Sequence, residues 1–331
     1  MVIAMTERQT DKLKAVLDHW WRRFPPCSTS FSSTSSFLSS IPDGVSVRDH
    51  GATGLTNNDE QTDAVIGGAQ QSAESSFSRA STSSSYSPPY LVIYIASPFT
   101  DTSPKTDTNN SLTFRINQLI PAEISSCFRS IKICIVHPPS PLDTHIEGAR
   151  FLFESILKDV SCVPLPRLYI LYAEPDLRPI KANWLSELDV YLKTSLPLDS
   201  WMAGAMFHGD EKKLGTTDYL FNKYHLNGAA LLNLETRKSP NFVSFYFKQV
   251  RPFVESQGGS RNAYDTDIFE YLAHPSSYNF FRRYAAHKIY ATTLILNFWR
   301  TPWTLQDLTM IWPEALFVHG GVPSQFESRD Y

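Results

Sequence analysis

The chain has 331 residues, 42% hydrophobic and 13% aromatic, enough to bury a sizeable core in one large domain or two small ones. A formal net charge of -3 and a sequence pI of about 6.3 exclude the basic surface of a nucleic-acid-binding protein. The longest apolar runs, such as Leu91–Ala96 and Ile289–Leu296, fall far short of the roughly 20 residues a membrane span needs, and the opening MVIAMTERQT has the form of neither a signal peptide nor an anchor.

Asp11 to Phe24 reads as an amphipathic helix, with Leu13, Val16, Leu17, Trp20 and Trp21 at helical spacing and Pro25-Pro26 as the stop. From residue 28 to residue 89, serine, threonine, glycine and asparagine dominate. Such a tract buries too little apolar surface to offset the entropy of ordering, so disorder is expected. Order is expected to begin at Tyr90. Leu91–Ala96 and Ile131–Val136 are short, continuous, β-branched runs, the pattern of strands covered on both faces. Helices are predicted over Ser111–Leu119 and over Ile146–Leu157, the latter with Ile146, Ala149, Phe153 and Ile156 on one face. A third strand is predicted over Leu168–Ala173. This alternation predicts an α/β fold with a mostly parallel sheet flanked by helices, filling residues 90–331. Cys27, Cys127, Cys134 and Cys162 form no CxxC pair, which leaves one or two disulfides as an open possibility. A single sequon, Asn109-Asn110-Ser111, has meaning only in a secretory lumen.

The chemistry concentrates at Tyr169-Ile170-Leu171-Tyr172-Ala173-Glu174-Pro175-Asp176, an apolar strand that ends in two carboxylates one residue apart. Ligands of open α/β sheets bind beyond the carboxyl ends of strands, and residues i and i+2 of extended chain point to the same side. Glu174 and Asp176 are therefore placed to share a hard divalent cation. The competing reading makes Asp176 a cap for the helix carrying Trp184 and Leu188. Three later segments add to the pattern. His225-Leu226-Asn227-Gly228-Ala229-Ala230 is a polar tip leading into a small-residue strand that lets backbone approach a ligand, or else a hairpin turn. Tyr264-Asp265-Thr266-Asp267 is a helix start in which Asp265 or Asp267 serves either as a cap or first-turn acid or as the acceptor of a substrate proton. Leu316-Phe317-Val318-His319-Gly320-Gly321 presents one imidazole after an apolar strand.

This order of motifs resembles the GT-A fold of nucleotide-diphospho-sugar glycosyltransferases. More narrowly it resembles uncharacterised glycosyltransferase-like proteins of algae and protists, patterned roughly E-P-D-x-x-P-I-x-x-x-W-L, then H-I-N-G-N-A-L-Y, then Y-D-x-D. The match runs through Glu174, Pro175, Asp176, Pro179, Ile180, Trp184 and Leu185, then His225, Asn227, Gly228, Ala230 and Leu231, then Tyr264, Asp265 and Asp267. The Trp20 to Cys27 segment also resembles their W-x-x-x-P-P-C element. Ala229 and Leu232 depart from the pattern, standing where it has asparagine and tyrosine. The resemblance implies transfer of a sugar from a UDP- or GDP-linked donor to a glycan or protein hydroxyl, with Mn²⁺ or Mg²⁺. Glu174, Asp176 and His319 would hold the metal. Glu174, Asp176, Asn227, Gly228 and His225 would bind the donor, and Asp265 or Asp267 would orient the acceptor or act as base. Trp184 and Trp201 are candidates for a stacking face. A Golgi-lumenal location is implied, although the chain carries no recognisable leader. The alternative is a catalytically inactive relative that binds a nucleotide or glycan; a metal-dependent phosphoesterase is a remoter one.

Overall fold

A computed structural model of the chain describes residues 1–28, 88–97, 105–139, 145–158, 162, 169–214, 223–235, 240–259, 263–299 and 301–323. These belong to one unit, Met1–Thr29 with Ser87–Tyr331. The Ser-rich tract, expected to be disordered, lies outside the described residues, as do the side chains of Trp20, Trp21, Asn109, Asn110 and Ile146.

Seven strands form the central sheet: β1 Val2–Thr6, β2 Tyr90–Ala96, β3 Ser130–Val136, β4 Tyr169–Ala173, β6 Met202–Gly204, β7 Ala230–Asn233 and β8 Ile289–Ala291. Their order is β3-β2-β1-β4-β7-β6-β8. The pairs β3–β2, β2–β1, β1–β4 and β6–β8 are parallel, and β7 alone runs against both its neighbours. A second sheet joins β5 Arg178–Pro179, β11 Phe317–His319 and β9 Ile295–Asn297, and β10 Pro302–Trp303 pairs with β12 Val322–Pro323. The protein is therefore mixed α/β with a mostly parallel sheet.

Side chains of the sheet alternate between two cores, as the two-residue period of a strand demands. Ile3, Met5, Leu91, Ile93, Ile95 and Leu171 enter the core formed with Leu13 and Leu17 of helix Thr10–Arg22, Ile116 of helix Lys105–Leu119, and Trp184 and Leu188 of helix Trp184–Thr194. Val2, Ala4, Val92, Tyr94, Ile170 and Tyr172 enter the opposite core, with Phe153 and Ile156 of helix His145–Lys158 and Tyr264 and Ile268 of helix Tyr264–Ala273. With both faces covered by helices, β1, β2 and β4 read as unbroken apolar runs; β3, expected to be covered on both faces, is an edge strand in which only Cys134 is buried. No helix among the described residues is long and apolar enough to cross a membrane.

The structure corrects the expectation that order begins at Tyr90. Val2–Thr6 is an interior strand, pairing Val2 with Val92 on one side and with Tyr172 on the other. Its apolar stretch, Val2 to Met5, is too short to declare itself, and its partners lie more than 80 residues away in sequence. The helix beginning at Thr10 is tied down by its sequel. Pro25 and Pro26 carbonyls accept from the Asn183 and Leu185 amides at 2.7 and 3.1 Å, and His19 Nε2 donates to the Pro179 carbonyl at 3.0 Å. Burial lowers the His19 pKa to about 4, so the ring makes that bond as a neutral donor.

The cysteines pair as Cys27–Cys127 and Cys134–Cys162. The first closes a separation of 100 residues and clamps the β1 segment to the sheet. Loop entropy for such a closure is on the order of 4–5 kcal/mol. The double variant Cys27→Ser/Cys127→Ser is expected to lose much of that, read as a lower urea midpoint. A midpoint unchanged from wild type would mean that the clamp is energetically idle.

Candidate active site

The chain runs β1, β2, β3 to one side of β1 and then returns to β4 on the other, so the strand order reverses between β1 and β4. Such a reversal opens a crevice at the carboxyl ends of the strands. Glu174 and Asp176 stand at that end of β4. After Asp176 the chain turns into β5, which pairs antiparallel with β11, Arg178 opposite Val318 and Pro179 opposite Phe317. Continuing this register sets His319 opposite Leu177, beside both carboxylates. Short-range pairing of two small strands thus closes a sequence gap of more than 140 residues.

His319 Nε2 lies 3.1 Å from Glu174 Oε2 and 3.0 Å from Asp176 Oδ1. One donor atom from each of the three residues falls within 4.8 Å of the others. The imidazole is buried, 8% exposed, while the Glu174 and Asp176 side chains keep 36% and 45% of their surface. The cluster is therefore closed behind by the ring and open in front. His319 Nδ1 is buried with no hydrogen-bond partner among the described residues, and Nε2 is the atom turned to the carboxylates. The turn after His319 needs its two glycines. Gly320 and Gly321 have φ of +65° and +66°, and a Cβ on Gly321 would lie 2.5 Å from the Thr301 carbonyl oxygen.

Two carboxylates and one imidazole fit a Mn²⁺-like divalent ion, with coordination positions left open on the exposed side. The cluster also favours a proton on His319. Burial alone would lower the His319 pKa, but the Asp176 charge and hydrogen bond, followed by those of Glu174, outweigh it and raise it to about 10. A raised folded-state value means that the imidazolium pair contributes its full stability below pH 6.5 and loses it as pH rises through about 10. A divalent ion must displace that proton. Mn²⁺ binding at pH 7.5 is therefore expected to release close to one proton, read by calorimetry in two buffers of different ionisation enthalpy. Heats independent of the buffer would contradict this.

The other predicted residues divide. Gly228 packs directly against Glu174 of this cluster: a Cβ there would collide with Tyr264 Oη and lie 2.7 Å from Glu174 Oε1. The E-P-D, H-x-N-G and Y-D-x-D segments thus meet at one point. Asn227 holds the tip in shape, its Oδ1 accepting from the Ala229 amide at 3.0 Å and its own amide donating to the Ala205 carbonyl at 2.8 Å. The tip is not a hairpin turn, because β7 pairs with β6 across a long excursion of chain. His225 Nε2 sits 3.7 Å from Asp265 Oδ2.

Asp265 and Asp267 both occupy the first turn of helix Tyr264–Ala273, but the N-cap is Ala263 and neither is a cap. Burial raises the Asp265 pKa; His225 pulls it down and Glu174 adds to the rise. Asp267 is instead an electrostatic neighbour of Tyr246, in a group with Glu154, Arg251 and Arg150. Asp176 does not cap the helix after it, which starts at Trp184 with Asn183 as N-cap.

Trp184 is wholly buried edge-on to Phe317, and Trp201 is buried and stacked on Phe245, so neither offers a face to a sugar. Ala229 and Leu232, the departures from the motif pattern, are core residues rather than pocket walls. Sequence reasoning missed Glu7, Ser97 and His137, which follow β1, β2 and β3. Ser97 Oγ donates to Glu7 Oε2 at 2.7 Å, and His137 Nδ1 donates to the Ser97 carbonyl at 2.9 Å. The signal for His137 was its place straight after an apolar run, and Glu7 required recognition of β1. Tyr172 and Tyr264, also missed as site residues, back Glu174 as an edge-to-face pair with ring centroids 5.5 Å apart.

No protein-family model matches the chain, and no curated protein sequence does. Among solved structures it is similar to the crystal structure of mouse xyloside xylosyltransferase 1 in its apo form. The TM-score is 0.37 and the sequence identity 14%, over 70% of this chain and 84% of that one. Likeness at this level does not bear on chemistry, which rests on the side chains described above.

Proposed function

We propose that this chain is a metal-dependent glycosyltransferase of GT-A type that uses a nucleotide-diphosphate sugar. The observation that carries the reading is the meeting of Glu174, Asp176 and His319, with donor atoms within 4.8 Å, beside the strand-order reversal. A divalent ion held there would neutralise the diphosphate of the donor as it leaves. Glu174 and Asp176, exposed in front, face the diphosphate, and His319 anchors the set from behind. Gly228 and Asn227 form a close-approach floor for the donor sugar. Glu7 and Ser97, hydrogen-bonded to each other just after β1 and β2, would contact the nucleoside. An acceptor hydroxyl attacks the anomeric carbon, the bond from that carbon to the phosphate oxygen breaks with its electrons, and Asp265 takes the hydroxyl proton. Burial, which makes Asp265 more basic than an ordinary carboxylate, supports that role. The two disulfides support folding in an oxidising lumen, the setting a Golgi enzyme needs.

Thermal unfolding tests the reading. Mn²⁺ with UDP or GDP at about 100 times Kd stabilises by about 2.7 kcal/mol, a rise of several degrees, and Mn²⁺ alone gives less. No shift with either nucleotide would overturn the proposal.

A further inference from the structure

A cavity of about 350 Å³ has in its wall Asp265, which interacts electrostatically with Glu174. Its other lining is apolar over most of its area, from Met202, Met206, Leu226, Ile268 and Phe281, and the Tyr224 phenol stands half-exposed at the mouth. Asp265 is the only charged residue of the lining among the described residues. A polyhydroxylated sugar seated here would bury several hydroxyls against methionine, isoleucine and phenylalanine, where unpaired polar groups are costly. Among the described residues the lining offers one carboxylate and one phenol, too few to meet that demand. The lining instead suits a compact hydrophobic skeleton that carries a single hydroxyl, and the size is that of small-molecule sites.

We infer that the cavity seats the apolar skeleton of an alcohol or phenol acceptor, its hydroxyl turned to Asp265, so that the glycosyl group is delivered to a hydrophobic small molecule. This rests on the transferase reading above and names its acceptor class, in place of the glycan or protein expected from the motif order. In the step implied, the acceptor oxygen forms the new bond to the anomeric carbon. The bond from that carbon to the diphosphate oxygen breaks with its electron pair, and the acceptor proton passes to the Asp265 carboxylate. Nothing is oxidised or reduced. His225, 3.7 Å from Asp265, is placed to hold the carboxylate toward the cavity.

The test uses the full chain and 2-naphthalenemethanol as probe, with binding read from its fluorescence and methyl β-xyloside as the polar comparison. Ala291 is an exposed lining residue on β8, where a tryptophan would fill the cavity without entering the core. Met206 is exposed at the rim, where a glutamate would charge it. Expected are saturable binding of the naphthyl alcohol, none of the xyloside, and at least about tenfold weaker binding in both Ala291→Trp and Met206→Glu. Both variants should keep the Mn²⁺–UDP or Mn²⁺–GDP melting shift, which reports the donor side alone and shows that they fold. With that shift intact, absence of probe binding, or binding undiminished in both variants, overturns the acceptor assignment and leaves the transferase reading standing. Probe binding in a wild-type protein that shows no metal–nucleotide shift overturns it the other way, leaving an apolar ligand site without an enzyme.

Discussion

His319→Gln is expected to weaken Mn²⁺-dependent nucleotide binding by more than about 100-fold and to remove the metal-induced melting shift. Loss of groups that merely orient a ligand already costs about 10–100-fold, and His319 is itself one of three donors. The neutral amide keeps the size and a hydrogen-bond donor toward Glu174 and Asp176, so the variant folds. It lacks the imidazole nitrogen that a Mn²⁺-like ion prefers to an amide. The same substitution also flattens the alkaline loss of stability in the metal-free protein, because the group whose pKa is raised to about 10 is gone. Asp267→Asn serves as the contrast. That carboxylate acts on Tyr246 and lines neither the cluster nor the cavity, so metal-dependent nucleotide affinity should stay within about twofold of wild type. Retention of full metal affinity by His319→Gln would mean that the three side chains are only an ion-paired cluster.

Gly228→Ala has the second largest expected effect and separates packing from chemistry. The added methyl meets Tyr264 Oη and, at 2.7 Å, Glu174 Oε1. Tyr264 is stacked on Phe153 with ring centroids 3.8 Å apart and is 2% exposed, so it has no room to retreat. Overpacking of this kind costs about 1–3 kcal/mol. The Glu174 carboxylate, at the end of a flexible side chain, yields instead and leaves the metal position. A second change, Tyr264→Phe, removes the atom that collides first. Gly228→Ala/Tyr264→Phe should therefore recover most of the stability and none of the metal affinity, since the methyl still lies against Glu174. Recovery of both together would mean that Glu174 is not held where the metal needs it. A ΔΔG near zero for the single variant would show that Tyr264 does not press on the tip at all.

What the chain discloses before folding is uneven, and the reason is physical. β2 and β4 are continuous apolar runs because helices cover both their faces, and that pattern is local; β3 shows a similar run yet is an edge strand in which only Cys134 is buried. β1 carries the same chemistry in too few residues, so its place in the middle of the sheet shows only once β2 and β4 flank it. Glu174 and Asp176 were legible as a strand-end pair, and His319 as an imidazole after a buried strand. What was not legible is the two-residue strand Arg178–Pro179 that brings them together, since no periodicity exists in two residues. Asp265 and Asp267 are indistinguishable in a linear motif, yet two residues along a helix turn a side chain to nearly the opposite face. One therefore lines the cavity and the other joins the Tyr246 group. Tyr264 was read as part of a motif, while its pressure on Gly228 depends on packing between distant segments. The disulfide pairing and the apolar cavity likewise arise from long-range placement.

The most direct measurement is anomalous diffraction at the manganese edge from a crystal of the full chain soaked with Mn²⁺ and UDP or GDP. One peak in direct coordination distance of Glu174, Asp176 and His319 Nε2, with the diphosphate on its exposed side, is the predicted outcome. A peak elsewhere, or a nucleotide bound away from an unmetallated His319, would contradict it.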